Sequence, residues 1–340
     1  MTAHTPDISI LSLDAIRANA AALAGDICRT PCLTLDTGVI ARMLGGGGAV
    51  LKLECFQHTG TFKARGALSV ARSLTAEQLT RGITAASAGN HAIAAAWAAR
   101  QVGTSAKVVI QSNANPFRIA LARAEGAEVI IKAPGAETFG EAERLVRDEG
   151  RYFIHPFEGY LTSLGTAGVG LELMEDAPDL EAVVISIGGG GLASGIAAAV
   201  KQINPACKVY GVEPVGAASM HTSLATGAPV RLDSVTTVAD SLGAPMALPF
   251  GHALCTAYLD DIVLLEDDMI CAGMVGFQQD AKLAVEPAAG AALAAVMGPL
   301  SDRLQGQRVG IIVCGSNIDA QTYTTLMQRG FPAYTALIAS

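Results

Sequence analysis

Four short segments of this sequence hold residue types that could do chemistry together. In Gln57-His58-Thr59-Gly60-Thr61-Phe62-Lys63-Ala64-Arg65-Gly66-Ala67, a lysine stands beside an aromatic ring where a polar loop gives way to a helical pattern. Near a helix N-terminus the dipole disfavours the ammonium form, and partial burial pushes the same way. The neutral amine that both effects favour is the nucleophile a Schiff base needs. Alone, the segment also reads as a surface lysine lying over Phe62. Ser87-Ala88-Gly89-Asn90-His91 opens an alanine-rich helix, and its small residues leave N–H groups free at the positive end, a place for a carboxylate. Asn90 can donate to an anionic oxygen, although an N-cap explains Ser87 and Asn90 equally well. Gly188-Gly189-Gly190-Gly191-Leu192 follows a Val/Ile run and precedes another alanine-rich helix. Four glycines let the backbone wrap a phosphate and aim several N–H groups at it; a merely flexible turn would not justify their entropic cost. Val313-Cys314-Gly315-Ser316-Asn317 would set a thiol and a hydroxyl beside whatever the glycine loop holds, and alone is an ordinary strand-end turn.

These segments need a scaffold that brings them together. Apolar runs alternate with helical periodicity: strands are expected at 82–86, 106–110, 127–131 and 151–154, with helices at 91–101, 115–124 and 139–149 between them. A second series places a helix near 167–175, a strand at 182–187, a helix at 192–202 and strands at 208–213 and 308–313, while 49–54 is a further strand. Parallel strands need crossover helices. The expected fold class is therefore α/β, with two open twisted, mainly parallel sheets bearing helices on both faces. Residues 77–159 are expected to form a small domain inserted into a larger one made of 1–76 and 160–340. In such sheets ligands sit outside the C-terminal strand ends, where all four segments fall.

Composition removes several function classes. With 340 residues, 51% of them hydrophobic and 16% charged, the chain can bury a large core and is not disordered. A net charge of −8 without a basic stripe excludes a nucleic-acid binder. The seven cysteines are scattered with no Cys-x-x-Cys pair, which suits reduced thiols; Cys28 and Cys32 could share a helix face. No signal peptide is evident. The uncharged stretch 182–200 approaches a membrane span in length, but four glycines interrupt it. A cytoplasmic protein with no membrane or nucleic-acid partner is expected.

Together the four segments resemble the fold-type II pyridoxal-phosphate enzymes, the group of tryptophan-synthase-β-like fold that contains the threonine and serine dehydratases (ammonia-lyases) and the serine racemases. The resemblance runs from Arg29-Thr30-Pro31 to Asn317 and takes in His155-Pro156-Phe157, Gly211-Val212-Glu213-Pro214, Ala239-Asp240 and Val285-Glu286-Pro287. It implies that pyridoxal 5'-phosphate lies in the interdomain cleft as a Schiff base on Lys63, whose freed amine takes the substrate's α-proton. Phe62 would flank the cofactor, Asn90 face its phenolic oxygen, Gly188, Gly189, Gly190, Gly191 and Leu192 hold its phosphate, and Cys314 meet its pyridine nitrogen. Ser87, Ala88, Gly89, Asn90 and His91 would hold the substrate carboxylate, and the phosphate would donate a proton to the leaving group. The implied reaction eliminates water from L-threonine, L-serine or a related β-hydroxy amino acid, giving a 2-oxo acid and ammonia, in a homodimer or homotetramer.

Several positions depart from the family pattern. Most relatives carry serine or threonine where this chain has Cys314. A thiol is a weaker donor, but it remains neutral and so favours elimination over transamination. The racemases use a serine at the position of Ala88, which can move no proton, so a dehydratase is expected over an amino-acid racemase. Some relatives bind a divalent cation through the carboxylate matching Glu213 and a second acid six positions later; here that position is Ser219, leaving at most a weak divalent or monovalent site. Gly165-Thr166-Ala167-Gly168 and Ala239-Asp240-Ser241 also differ, and both are expected near the substrate, so bulkier or acidic β-hydroxy amino acids stay open. Isoleucine-regulated relatives carry a long C-terminal regulatory domain; with the chain ending soon after Asn317, a degradative or broad-specificity enzyme is expected. Two rivals come from other classes. A nicotinamide dehydrogenase explains Gly188-x-Gly190-x-x-Ala193 and Glu213 but leaves Lys63 and residues 87–91 without a purpose. A non-catalytic amino-acid sensor leaves the retention of Lys63 unexplained.

Overall fold

The computed structural model describes residues 6–339. Its strands, in chain order, are β1 (Cys32–Leu35), β2 (Ala49–Lys52), β3 (Ile83–Ser87), β4 (Ala106–Gln111), β5 (Glu128–Lys132), β6 (Tyr152–Phe153), β7 (Ala182–Ser186), β8 (Lys208–Pro214), β9 (Asp261–Leu265) and β10 (Val309–Ile312). They form a six-stranded sheet in the order β1-β2-β10-β7-β8-β9 and a four-stranded sheet in the order β5-β4-β3-β6. Every pairing is parallel except that of β1 with β2. The four-stranded sheet is one continuous stretch of chain between β2 and β7.

The apolar runs account for this layering. All of β2, β7 and β10 is buried, as strands must be when helices cover both faces of a sheet. The largest core cluster joins these strands to the helices Gly191–Ile203 and Pro287–Met297, and a second surrounds Trp97 on the helix Asn90–Gln101. The uncharged stretch 182–200 divides into β7, the glycine loop and the start of Gly191–Ile203. No helix among the described residues is long and apolar enough to cross a membrane.

Most sequence-read elements lie within a few residues of their expected ends. The helix read near 167–175 is longer, running from Tyr160 to Asp176. Cys32 lies in β1 and Cys28 precedes it, so the two do not share a helix face.

Behind the site, the helix Lys63–Arg72 is tied down by buried charge. Arg65 donates to both carboxylate oxygens of Glu54 at 2.8 Å and to those of Glu172 at 2.7 and 2.8 Å, and Lys52 donates to Glu172 at 2.7 Å. Two cations facing two carboxylates satisfy one another, which burial of charge requires. Gly165 and Gly168 belong to this region and not to the substrate cleft. A side chain on Gly165 would come within 2.5 Å of the Arg65 carbonyl, so this glycine serves close helix packing. Thr166 donates to the Gly191 carbonyl at 2.7 Å and braces the glycine loop from below.

Candidate active site

The C-terminal ends of β2, β3, β7 and β10 point toward one cleft between the two sheets. In the six-stranded sheet the strand order reverses beside β7 and β10, where crevices form in open α/β sheets. One cavity in this cleft is lined by Phe62, Lys63, Ser87, Ala88, Gly89, Asn90, His91, Gly188, Gly189, Gly190, Gly191, Leu192 and Cys314. All four sequence segments therefore meet there. Glu213 does not line it.

Lys63 is the first residue of its helix. Its amine sits 5.0 Å from the centre of the Phe62 ring and donates to the Pro156 carbonyl at 2.5 Å. Burial lowers its pKa from 10.5 to about 8, so about a tenth of the amine is neutral at pH 7, far more than for an ordinary lysine. The rival picture of a lysine lying in solvent over Phe62 fails, because the amine faces the cavity.

The glycine loop is shaped by what crowds it. Gly190 has φ +94°, a left-handed conformation that favours glycine, and caps the helix Gly191–Ile203. A side chain on Gly189 would fall 2.2 Å from the Phe157 ring. The loop thus turns its backbone into the cavity at a helix N-terminus, an anion cradle. Ser186, just before it, has a buried hydroxyl with no hydrogen-bond partner and also lines the cavity. A phosphate cradle, an unpartnered hydroxyl and a lysine with depressed pKa fit pyridoxal phosphate.

On the second wall, the helix Asn90–Gln101 presents its N-terminus. His91 Nε2 lies 2.8 Å from the Ile154 carbonyl, and burial, with the nearby Lys63 charge, holds its pKa down at about 3. Its ring is therefore neutral and brings no positive charge to a substrate carboxylate. Asn90 donates to both oxygens of Glu286, at 2.9 and 2.8 Å, and to the Ser241 hydroxyl at 3.2 Å, and accepts from Asn317 at 2.9 Å. The Cys314 thiol is buried and its pKa is pushed well above the ordinary value, first by burial and then by Glu286. It is a neutral group.

Sequence reasoning missed several residues of this site. Glu286 is buried in the cavity wall, and Arg118 reaches it at 3.1 Å, Asp240 at 2.5 Å and the Asn317 carbonyl at 2.8 Å. Glu286 was visible only as part of a family landmark, and nothing in the sequence marked Arg118. Phe139 and Gln111 line the cavity from the four-stranded side. Of the departing segments, Ser241 does line the cavity.

Glu213 accepts from the backbone N–H groups of Met220 at 2.9 Å and His221 at 2.7 Å, capping the helix Ser219–Thr226. Among the described residues no group of three or more His, Cys, Asp or Glu is placed to hold a metal ion.

Comparison with known proteins agrees with this geometry. The family described as pyridoxal-phosphate dependent enzyme matches residues 23–315. The chain is 46% identical over 285 residues to a phenylserine dehydratase of Ralstonia pickettii, covering 84% of this chain and 87% of that one. It is 36% identical over 286 residues to an L-threonine ammonia-lyase of Thermotoga maritima, covering 84% and 71%. The structure of maize serine racemase superposes with a TM-score of 0.86 at 32% identity, covering 96% of this chain and 99% of that one.

Proposed function

This chain belongs to the pyridoxal-phosphate-dependent enzyme family, and from that membership we propose a dehydratase that converts a β-hydroxy α-amino acid to a 2-oxo acid and ammonia. The observation that carries the reading is that Lys63 and Ala88 line the same cavity. Lys63 is the lysine that lines it, and the position where a racemase would need a second proton carrier is a methyl group.

Pyridoxal phosphate, when bound, draws electrons from the α-carbon of an attached amino acid, so that an α-proton can be removed and a β-hydroxyl can leave. The chain's residues divide the remaining tasks. Lys63 would supply the amine that attaches the cofactor and, freed by the substrate amine, would take the α-proton on Nζ. Gly188 to Gly191 aim N–H groups at the phosphate. The first turn of Asn90–Gln101 orients the substrate carboxylate. Cys314 would offer the pyridine nitrogen a neutral thiol, adding no counter-charge that would favour ring protonation. Loss of the α-proton to Nζ and of the β-hydroxyl as water, with the leaving-group proton supplied by the phosphate, would leave an enamine that hydrolyses to the 2-oxo acid and ammonia.

The relatives named for dehydration of phenylserine and for ammonia release from threonine support this reading. The structural likeness to serine racemase keeps a racemase as the second reading. Incubation of the holoenzyme with L-serine separates them: pyruvate and ammonia should form in equal amounts with little D-serine. D-serine appearing faster than pyruvate would reverse the assignment.

A further inference from the structure

One side of the cavity is not used by any step above. The glycine loop, the Asn90 helix and Lys63 account for phosphate, carboxylate and amine. Further lining comes from Gln111 and Phe139 on the four-stranded side, from Pro156 and Phe157 just after β6, and from Leu242, Ala244 and Pro245 on the six-stranded side. The last group is anchored beside the loop, since a side chain on Gly188 would fall 3.0 Å from the Ser241 carbonyl. Phe139 is in the first turn of the helix Ala136–Glu149 and is half-buried, so its ring is held from behind while its other side faces the cavity.

Charge on this side is closed to acids. Among the described residues, Lys63 is the sole lysine or arginine lining the cavity. Arg118, the nearest buried cation behind it, already meets Asp240, Glu286 and the Asn317 carbonyl. Asp240 itself lines the cavity. A carboxylate on the substrate's β-carbon would lose water without gaining a partner and would face Asp240, whereas an uncharged ring would pack against Phe139 and Pro245.

Resting on the dehydratase reading, we propose that this wall selects β-hydroxy amino acids bearing an aryl β-substituent, with Phe139 as the specificity-determining residue. Its ring gains contact area only when the substituent is large, so its effect falls on discrimination among substrates.

The test measures kcat/KM by ammonia release from holoenzyme with threo-phenylserine, L-threonine, L-serine and threo-3-hydroxyaspartate. In wild type, phenylserine should exceed serine and hydroxyaspartate should be the poorest. Phe139→Ala should lower the phenylserine-to-serine ratio by about 10- to 100-fold, the range for removing apolar pocket contacts. Phe139→Arg should raise the hydroxyaspartate-to-phenylserine ratio above that of wild type. Phe139→Leu and Pro245→Ala, compared in the same way, keep the test open if Phe139→Ala does not fold. Threonine or serine matching phenylserine in wild type, or a ratio unmoved in the variants that fold, overturns the aryl assignment and leaves the dehydratase reading standing. Ammonia from none of the four substrates, in protein that carries lysine-bound cofactor, overturns the dehydratase reading itself.

Discussion

The side-chain amide of Asn90 lies 2.9 and 2.8 Å from the two carboxylate oxygens of Glu286, joining the helix beside the four-stranded sheet to the helix Pro287–Met297 of the six-stranded one. Glu286 is fully enclosed, and burial pushes its pKa up while Arg118 and Asn90 pull it back. A buried carboxylate of this kind is tolerable only while its partners remain. The pair therefore sets where Asn90 stands in the cavity and ties the two sheets together.

Glu286→Ala should leave Arg118 with Asp240 as its one carboxylate partner and cost about 3 kcal/mol, the order seen when one partner of a buried ion pair is removed. A denaturant midpoint for the holoenzyme would read this. Cofactor affinity should fall as well, because Asn90 loses the acceptor that orients it. Unchanged stability and unchanged affinity would show the pair to be incidental.

Lys63 gives a pH prediction. Its pKa is lowered from 10.5 to about 8, with burial the main cause, so the amine gains its reactive, neutral form as pH rises through that value. The rate at which apoprotein forms its covalent bond to added pyridoxal phosphate should climb about tenfold from pH 7 toward a plateau near pH 9, as expected for one titrating group of that pKa. An ordinary lysine would keep climbing to beyond pH 10. Lys63→Ala should form no bond at any pH, read as loss of the visible absorbance.

The parts of this site legible in the sequence were those whose backbone does the work. Gly188 to Gly191 and residues 87–91 announce themselves because glycine and small residues between a strand and a helix have few other uses. Arg118 was invisible because its partners Asp240, Glu286 and Asn317 lie 122, 168 and 199 residues away, and no local pattern encodes such pairings. Phe139 reads along the sequence as one more apolar position on an amphipathic helix. Gly165 to Gly168 misled for a related reason: glycine marks close approach, but only the fold tells whether a ligand or another helix is approaching. Among strands, β1 and β9 escaped notice: β1 is interrupted by Thr34 and none of its residues is fully buried, and the apolar run Ile262–Leu265 of β9 lies between acidic residues with no glycine turn beside it to mark a crossover.

Glu213 bears on cations and on stability. Both its oxygens already accept N–H groups from the start of the helix Ser219–Thr226, so magnesium, calcium or a chelator should change kcat/KM by less than about twofold, in contrast to an essential metal site. Burial raises its pKa from 4.5 to about 8. Between those values the folded chain holds a proton that the unfolded chain has lost, so this group's stabilising contribution is present at low pH and is lost as pH rises toward 8. Glu213→Gln cannot titrate, and the decline in melting temperature between pH 5 and 8 should be shallower in that variant. A steeper decline, or a strong magnesium dependence, would contradict this placement.

Cys314 controls the last expectation. Its thiol is buried, neutral and influenced electrostatically by both Glu286 and Lys63. Cys314→Ser keeps a neutral hydrogen-bonding group and should eliminate within about threefold of wild type, since both groups can meet a pyridine nitrogen. Cys314→Asp places a carboxylate in the same enclosed space. One outcome is that the new acid stays protonated because of Glu286, and little changes. If cofactor binding supplies the compensating pyridinium, the acid ionises and holds that ring proton in place. The second outcome is expected, because the ring nitrogen is the nearest base able to share the proton. A protonated ring stabilises charge at the α-carbon and removes the pressure to expel the β-hydroxyl, so solvent deuterium should enter the α-carbon of recovered substrate faster relative to 2-oxo acid release. The measurement is that ratio, taken for wild type and both variants at one pH. An aspartate variant that eliminates at the wild-type rate with the ratio unmoved would show that residue 314 does not set the electronics of the site.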